Sequence, residues 1–252
     1  MSLKIKSIIS LAVASAFTFY LFVSVTYSPS AFALPFEFRT PESPNAINMN
    51  NLYNFISFPA AFIFLVFELS LLYVVIRYRR KSPDQMPKQI EGNLALEITW
   101  TVIPFIIVGV IAGLSFAELQ NDFAAPNFHL PKHNVLYINV IGRQFYWTFD
   151  YPNGVHTVGT LVVPVDTYVR LRLSSPDVIH SFWVPNLGPK IDAVPGYYNY
   201  TWFKALKKGT YYGQCAEYCG VGHYDMTIYV KVVSPSYYKQ WMAKQLASLK
   251  KA

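Results

Sequence analysis

The only two cysteines of the chain lie four residues apart, and a histidine and a methionine follow them closely. Within the stretch 213–226, Cys215 and Cys219 are followed by His223 and Met226. Thiolate, imidazole and thioether ligands suit copper, and two histidines with one cysteine and a weak axial methionine form a mononuclear electron-transfer site. A second cysteine also allows two thiolates to bridge two copper ions. The spacing therefore predicts a copper centre in which each bridged ion needs one imidazole.

A second imidazole must come from elsewhere in the sequence, since His223 supplies only one. His180 is the best candidate because it enters an aromatic-rich segment that is predicted to be a strand. His129, His133 and His156 lie in polar, turn-rich sequence and are predicted to be surface residues.

Two other uses of the cysteines stay open at this point. A disulfide would form in an oxidising compartment, but it does not need a histidine and a methionine at these offsets. A structural zinc site is the other alternative, although methionine is not a usual zinc ligand.

The N-terminus carries the features of an exported chain. Lys4 and Lys6 precede an apolar stretch, and a small-residue Ala-x-Ala motif ends at Ala33. This order predicts a secretory signal peptide over residues 1–33, with an uncleaved anchor as the alternative. An exterior segment, residues 34–51, is predicted to follow it.

Two apolar segments predict a transmembrane helix hairpin over residues 52–119. The helices are expected at about 52–76 and 94–117, and the first would span roughly 37 Å, enough to cross a ~30 Å hydrocarbon core. The connecting loop is rich in basic residues: Arg77, Arg79, Arg80, Lys81 and Lys88. Basic loops stay on the cytoplasmic side, so both ends of the hairpin are expected to face outward.

The remainder of the chain predicts an exported β domain over residues 120–235. Short stretches rich in Val, Ile, Tyr and Phe alternate with Pro, Gly and Asn, which favours an antiparallel sandwich or barrel. A basic helix is expected over residues 236–252. The fold class is thus an α+β membrane protein with an N-terminal helix pair and an all-β domain. Charged residues make up only 14% of the chain, which argues against both a fully soluble protein and a disordered one.

The sequence resembles subunit II of cytochrome c oxidase. The resemblance is carried by the C-x₃-C-x₃-H-x₂-M loop, by Val178-Ile-His-Ser-Phe-Trp-Val-Pro185, by Asp192-Ala-Val-Pro-Gly196 and by Glu97-Ile-Thr-Trp-Thr-Val-Ile-Pro104. It extends over roughly residues 50–241. The resemblance implies that the β domain is a cupredoxin-like Greek-key barrel that holds a dinuclear CuA centre.

The resemblance also implies a role for each ligand. Cys215 and Cys219 would be the bridging thiolates, and His180 and His223 the terminal imidazoles. Met226 would be the weak axial ligand of one copper.

A further residue of the same loop has two implied roles. The main-chain carbonyl of Glu217 would be the axial ligand of the other copper ion. The Glu217 carboxylate would reach a magnesium or manganese ion shared with subunit I, whereas the simpler alternative is a solvated loop carboxylate.

The implied function is that of the electron-accepting subunit of a proton-pumping oxidase. Single electrons would come from an exterior donor, a cytochrome c or a small copper protein (a cupredoxin), and would pass to haem in subunit I, where oxygen is reduced to water. Haem is expected only in the partner subunit. Subunit I, subunit III and membrane lipid are the expected partners, with no nucleic acid. The expected location is the plasma membrane of a prokaryote, as a multi-pass protein with its copper domain on the extracytoplasmic side.

Two alternative functions remain at this stage. One is the electron-accepting subunit of a CuA-type nitric oxide reductase, and the other is a membrane-tethered copper chaperone. A quinol oxidase subunit is disfavoured, because such proteins resemble this one but lack the copper ligands.

Three aromatic residues are expected where electrons enter. In Gln-Phe145-Tyr146-Trp147, Phe145 stands where the family usually has the tryptophan that receives the donor's electron. Glu97 matches a family residue near the mouth of a proton channel, and the alternative is an interfacial carboxylate at a helix N-terminus. Glu68, within the first helix, matches no family role.

The exported domain lacks a strong acidic patch. Basic residues outnumber acidic ones between residues 119 and 233, so electrostatic steering of a basic donor should be weak. A neutral or acidic cytochrome c, or a small copper protein, is the predicted donor.

Overall fold

A computed structural model of the protein describes residues 40–86, 89, 91–123, 135–188 and 190–250. For residues 118 and 121–123 it describes the backbone only. The predicted signal peptide, residues 1–33, lies outside the described residues, as do His129 and His133.

The chain divides into two compact units. Of the described residues, 53–111 belong to the first unit, and 40–52 with 112–250 belong to the second. The first unit is helical, and the second contains all the β-strands of the described residues.

Two long apolar helices precede the β domain, as the predicted fold class requires. Helix α1 spans Pro44–Arg77 and helix α2 spans Leu94–Phe123. Both contain stretches apolar enough to cross a membrane, with mean hydropathies of 2.3 and 2.2. Their large side chains are exposed, for example Phe58 at 80% and Phe105 at 78%. An apolar surface of this extent needs lipid or protein to cover it.

Capping side chains determine where the helices begin. Helix α1 begins at Pro44 rather than near residue 52, because the Ser43 hydroxyl accepts a hydrogen bond from the Ala46 amide at 3.1 Å. Proline is well suited to the first position of a helix. At the start of α2, Asn93 Oδ1 accepts from the Leu96 amide at 3.1 Å, and Glu97 Oε1 accepts from the Asn93 amide at 3.4 Å.

Residues just before α1 are fixed to the β domain. The Glu42 amide donates to the Asn186 carbonyl at 2.8 Å, and the Leu206 amide donates to the Glu42 carbonyl at 2.9 Å. The Glu42 carboxylate also accepts from Lys207 at 3.0 Å. The chain therefore contacts the loops that contain Asn186 and Leu206 before the helix starts.

The second unit is a sandwich of two five-stranded sheets, which agrees with the predicted fold class. The first sheet has the order β3-β2-β1-β5-β8, with β1 at Val135–Arg143, β2 at Tyr146–Asp150, β3 at His156–Val158, β5 at Tyr168–Ser174 and β8 at Asn199–Lys204. The second has the order β4-β10-β9-β6-β7, with β4 at Thr160–Pro164, β6 at His180–Trp183, β7 at Ile191–Ala193, β9 at Gly209–Cys215 and β10 at Thr227–Val233.

The pairing is not antiparallel throughout, unlike the prediction. Strands β1 and β5 are parallel, and so are β4 and β10. The reason is that the chain crosses between the two sheets before it returns to each of these neighbours. Such crossovers cannot be recognised from local patterns of apolar residues.

The core lies between the two sheets. Trp147 and Phe149 on β2 and Leu171 on β5 are fully buried at its centre, and each such side chain contributes roughly 2–3 kcal/mol through burial. Tyr151 supports the edge of the second sheet: its hydroxyl accepts from the Val162 amide at 2.8 Å and donates to the Val162 carbonyl at 2.9 Å.

A C-terminal helix, α3 at Pro235–Leu249, packs on the sandwich through Tyr238, Trp241 and Leu246. The Ser234 hydroxyl caps it by accepting from the Tyr237 amide at 3.2 Å.

Candidate metal centre

The two cysteines lie side by side at the end of the second sheet. Cys215 is the last residue of β9, and Cys219 lies in the loop that leads to β10. Both are buried free thiols, and their sulfurs are 4.0 Å apart. A disulfide needs about 2.05 Å, so the disulfide alternative does not describe this pair. Since a metal–thiolate bond is about 2.3 Å long, one ion can contact both sulfurs.

His180 reaches the same point from the neighbouring strand. It begins β6, which pairs with β9 so that Phe182 stands opposite Cys215. Its Nδ1 lies 3.9 Å from the Cys215 sulfur, and its side chain is fully buried. The ligand atoms of His180, Cys215 and Cys219 all lie within 4.8 Å of one another.

The loop brings the next two predicted ligands to Cys219. A short 3₁₀ turn, His223–Asp225, follows the cysteines. His223 Nδ1 lies 3.6 Å from the Cys219 sulfur, and Met226 Sδ lies 3.8 Å from it. Met226 is held there because its carbonyl accepts from the Cys215 amide at 3.0 Å.

Glu217 brings its main-chain carbonyl to the cluster. Its carbonyl oxygen faces the cluster, 3.3 Å from the Cys215 sulfur. The residue as a whole is exposed, which leaves the carboxylate available to solvent or to a partner.

Asp177 was missed by the sequence analysis and fixes the orientation of His180. Its Oδ1 lies 2.8 Å from His180 Nε2, so the Nε2–H group donates to the carboxylate and the ring directs Nδ1 toward the sulfurs. The Asp-x-x-His spacing in the sequence was the signal from which this contact could have been predicted.

The carboxylate of Asp177 is itself strongly held. It accepts from the Gln144 amide at 2.8 Å, the Val178 amide at 2.7 Å and the Ser175 hydroxyl at 2.9 Å. Desolvation alone would raise the pKa of Asp177, but these hydrogen bonds and the one from His180 outweigh it and hold the pKa well below its usual range.

The two thiols ionise very differently in the metal-free chain. Burial opposes ionisation of Cys215, but hydrogen bonds, chiefly from His180, lower its pKa to about 6. Burial, followed by repulsion from the Cys215 thiolate, raises the pKa of Cys219 to about 11. Burial would lower the pKa of His180, yet Cys215 and Asp177 together raise it. The cluster thus holds one thiolate readily and the second only when a cation offsets its charge.

Glycines allow the backbone to pack closely around the cluster. A Cβ at Gly142 would lie 2.9 Å from the His180 ring, and one at Gly222 would lie 2.5 Å from Phe145 Cγ. Neither position has room for a side chain, so the His180 ring and the Phe145 ring are both confined.

The three predicted aromatic residues occupy different depths. Trp147 is fully buried, and its ring is 5.9 Å edge-on from the His180 ring. Phe145 is half-buried against the copper loop, by which we mean residues 216–225 between β9 and β10, and Tyr146 is 43% exposed. Gln144, not predicted, connects them to the cluster because its side-chain amide donates to the Cys219 carbonyl at 2.6 Å.

The other predicted polar residues lie elsewhere. His156 is exposed, as predicted, and contacts Asp150 at 2.5 Å. Glu97 accepts a hydrogen bond from the Asn93 amide at the start of α2, a contact that is typical of a carboxylate at a helix N-terminus. Glu68 lies within α1.

Comparison with known proteins gives consistent matches to one family. A family model described as cytochrome c oxidase subunit II, periplasmic domain, matches residues 155–233, and one described as its transmembrane domain matches residues 31–117. A probable cytochrome c oxidase subunit 2 of Rickettsia prowazekii is 37% identical over 228 residues, which cover 82% of this chain and 71% of the relative. One of Rickettsia bellii is 33% identical over 247 residues, 89% of each chain.

A solved structure is also similar. The crystal structure of the periplasmic domain of cytochrome oxidase subunit II of Bradyrhizobium japonicum is 36% identical, covers 45% of this chain and 94% of its own, and gives a TM-score of 0.44. The two family models and the two Rickettsia relatives together show that this chain belongs to the cytochrome c oxidase subunit II family of membrane proteins, whose members are part of haem–copper oxidase complexes.

Proposed function

We propose that this chain is the electron-accepting subunit of a proton-pumping cytochrome c oxidase and that it holds a dinuclear CuA centre. One observation carries the proposal: two imidazoles, two thiols and a thioether converge at one end of the sandwich, around sulfurs only 4.0 Å apart. This donor set suits copper better than zinc, which rarely takes methionine.

The side chains have distinct roles in this proposal. Cys215, Cys219, His180 and His223 would be the principal ligands of the copper ions, and Met226 and the Glu217 carbonyl would be weaker ones. Bound copper would supply a one-electron redox couple.

Most of the ligand residues are shielded from solvent. Cys215, Cys219, His180 and Met226 are at most 5% exposed, and His223 is half-buried. Buried, confined ligands favour electron transfer over chemistry on oxygen as the chain's own task. Small movement of the ligands on gain or loss of an electron favours rapid transfer.

Electrons are proposed to enter beside the copper loop. Phe145 and Tyr146 provide the surface contact, and Trp147 lies behind them against His180. Phe145 stands where the family has tryptophan. It is proposed to serve as the contact in its place, because its ring packs directly on Gly222 of the loop.

The remaining partners follow from the family. Subunit I would receive the electrons on its haem, with subunit III in the same complex and lipid around α1 and α2. The exposed Glu217 carboxylate is proposed to hold a magnesium or manganese ion shared with subunit I. Glu97, exposed at the start of α2, is proposed to serve proton uptake there.

The proposed location is the plasma membrane of a prokaryote, with the β domain outside the cytoplasm. The support is the cluster of basic residues at the end of α1 and directly after it, which favours a cytoplasmic loop between the two helices. The cluster consists of Arg77, Arg79, Arg80 and Lys81.

Copper analysis with electron paramagnetic resonance of the full chain in detergent tests the proposal. We expect two coppers per chain and hyperfine structure shared over two equivalent ions. His180→Ala and His223→Ala should lose this signal, whereas His156→Ala, which removes an exposed histidine paired with Asp150, should retain it. A single-copper spectrum, or Cu(I) that exchanges freely, would instead indicate copper handling.

A further inference from the structure

The two cysteines of the cluster are fixed to the sandwich in different ways. Cys215 ends β9, where it stands opposite Phe182 of β6, and its amide donates to the Met226 carbonyl at 3.0 Å. Cys219 lies outside the strands, in the copper loop. Its sulfur nevertheless stands 4.0 Å from that of Cys215. Contacts of the copper loop must therefore keep Cys219 in place.

One side chain from a distant part of the sequence reaches this loop. Gln144 Nε2 donates to the Cys219 carbonyl at 2.6 Å. A carbonyl oxygen can only accept, so the Gln144 amide must present its nitrogen there. Among the described residues outside 215–226, Gln144 alone makes a hydrogen bond with residues 217–224. This contact is thus the polar connection between the Cys219 end of the loop and the sandwich.

Gln144 is itself held at both of its neighbours and through its main chain. It lies in the two-residue turn between β1 and β2, where Arg143 pairs with Tyr146, and such short turns leave the backbone little freedom. Its main-chain amide donates to Asp177 Oδ2 at 2.8 Å, and the other oxygen of Asp177 lies 2.8 Å from His180 Nε2. Gln144 therefore has one hydrogen bond toward each half of the ligand cluster.

Packing brings the copper loop close to the same turn. A Cβ at Gly220 would lie 3.1 Å from Gln144 Nε2 and 3.1 Å from the Phe145 ring, and one at Gly222 would lie 2.5 Å from Phe145 Cγ. Gly220 also has a φ of 132°, which glycine adopts easily. The loop backbone therefore approaches the turn as closely as glycine allows, and the Gln144 amide can reach the Cys219 carbonyl.

We propose that Gln144 is a positioning residue, which holds Cys219 in place relative to His180 and Cys215 so that all three can bind one metal centre. That the metal is copper rests on the proposed function, whereas the two hydrogen bonds of Gln144 do not. Without its side-chain amide, the turn would still hold Asp177, but Cys219 would shift relative to the other ligands. Groups that fix the ligands of a metal control how tightly the metal is held and tune its redox potential.

A single substitution separates the two hydrogen bonds of this residue. Gln144→Leu removes the side-chain donor and adds no group that binds copper, while the main-chain amide can still donate to Asp177. Gln214→Leu is the matched control, because Gln214 is also exposed and directly precedes Cys215. Among the described residues, the Gln214 side chain makes no hydrogen bond. A near-ultraviolet circular dichroism spectrum checks that both variants are folded.

The full, metal-free chain in detergent gives the first measurement. Hydrogen exchange followed by mass spectrometry reports how often the amides of residues 217–224 open to solvent. Gln144→Leu should speed this exchange about two- to tenfold, the effect expected when one hydrogen bond is lost. Gln214→Leu should exchange like the parent chain.

The copper-loaded chain gives a measurement that a role in loop packing alone would not change. Transfer of copper to a chelator should be about two- to tenfold faster from Gln144→Leu than from the parent chain. The hyperfine pattern and the midpoint potential should both differ from those of the parent chain, because Cys219 is displaced. Gln214→Leu should change none of these quantities.

Three results would overturn the proposal. Unchanged exchange of residues 217–224 in Gln144→Leu would mean that the amide does not hold the loop. Faster exchange with an unchanged copper spectrum and potential would mean that it holds the loop without positioning Cys219. Equal effects of Gln144→Leu and Gln214→Leu would remove the specific role of Gln144. Absence of the two-copper spectrum in the parent chain would instead refute the proposed function, and it would leave the exchange measurement intact.

Discussion

Replacement of Asp177 by asparagine should weaken copper binding without unfolding the β domain. The carboxylate accepts hydrogen bonds from four donors, namely the Gln144 and Val178 amides, the Ser175 hydroxyl and His180. An asparagine keeps one carbonyl oxygen, which can accept at most two of these bonds, and its amino group would face the remaining donors.

The size of the effect follows from these contacts. Hydrogen bonds to a charged group contribute about 1.5–3 kcal/mol each. Because the Asp177 side chain is 29% exposed, water can replace part of what is lost, and we expect the metal-free chain to lose about 2 kcal/mol of unfolding free energy. Loss of a group that orients a metal-bound histidine typically lowers metal affinity about ten- to hundredfold.

Chelator competition on the full chain measures the copper affinity of Asp177→Asn, and denaturant unfolding of the metal-free chain measures its stability. Asp150→Asn is the matched control, because Asp150 also contacts a histidine, His156, but on a surface hairpin. Equal copper affinities of Asp177→Asn and Asp150→Asn would refute the role assigned to Asp177. A loss of stability without a loss of copper affinity would reduce that role to loop packing.

Three further predictions concern packing, the sheet edge and protons. Gly142→Ala places a Cβ 2.9 Å from the confined His180 ring, so it should lower the free energy of unfolding by about 1–3 kcal/mol and alter the copper spectrum. Gly209→Ala is the control, because its Cβ would have no atom nearer than 3.8 Å, and it should change neither quantity. Equal effects of the two substitutions would contradict the argument. Tyr151→Phe leaves the buried Val162 amide and carbonyl without their partner. It should lower the free energy of unfolding, measured with denaturant, by about 1–3 kcal/mol and leave the copper content unchanged. A shifted copper spectrum would count against this purely structural role. Copper binding should release protons, because the pKa of Cys219 near 11 keeps that thiol protonated at neutral pH and the raised pKa of His180 favours its protonated ring. Apparent affinity should therefore rise at least about tenfold per pH unit at neutral pH, and more steeply below the pKa of Cys215 near 6. A pH-independent affinity in chelator competition would refute this prediction.

Much of the fold was predictable because it depends on local patterns. The alternation of apolar stretches with turn residues predicted a β domain, and the structure confirms it, whereas strands as short as β3 and β7 could not be recognised from the sequence. These two have only three residues each, too few for an alternating pattern to be recognised. Parallel pairing of β1 with β5 was not predictable either, since it depends on the path of the chain between the sheets.

The candidate site was predictable to the extent that one loop contains it. Cys215, Cys219, His223 and Met226 are close in sequence, and their spacing alone indicated a metal. Asp177 was missed because its effect depends on the turn before β6, which folds its carboxylate back onto His180.

The contacts around His180 explain why such a site can form before the metal arrives. Asp177 holds one ring nitrogen at 2.8 Å, and the backbone at Gly142 closes one face of the ring. The other nitrogen already points at Cys215 from 3.9 Å, so copper would displace protons rather than rearrange the ring. A site that needs little rearrangement to bind a metal also needs little to change its charge by one electron. The sandwich therefore supplies stiffness at the point where the proposed electron transfer would need it, and the exposed loop residues remain available for contacts with partner proteins.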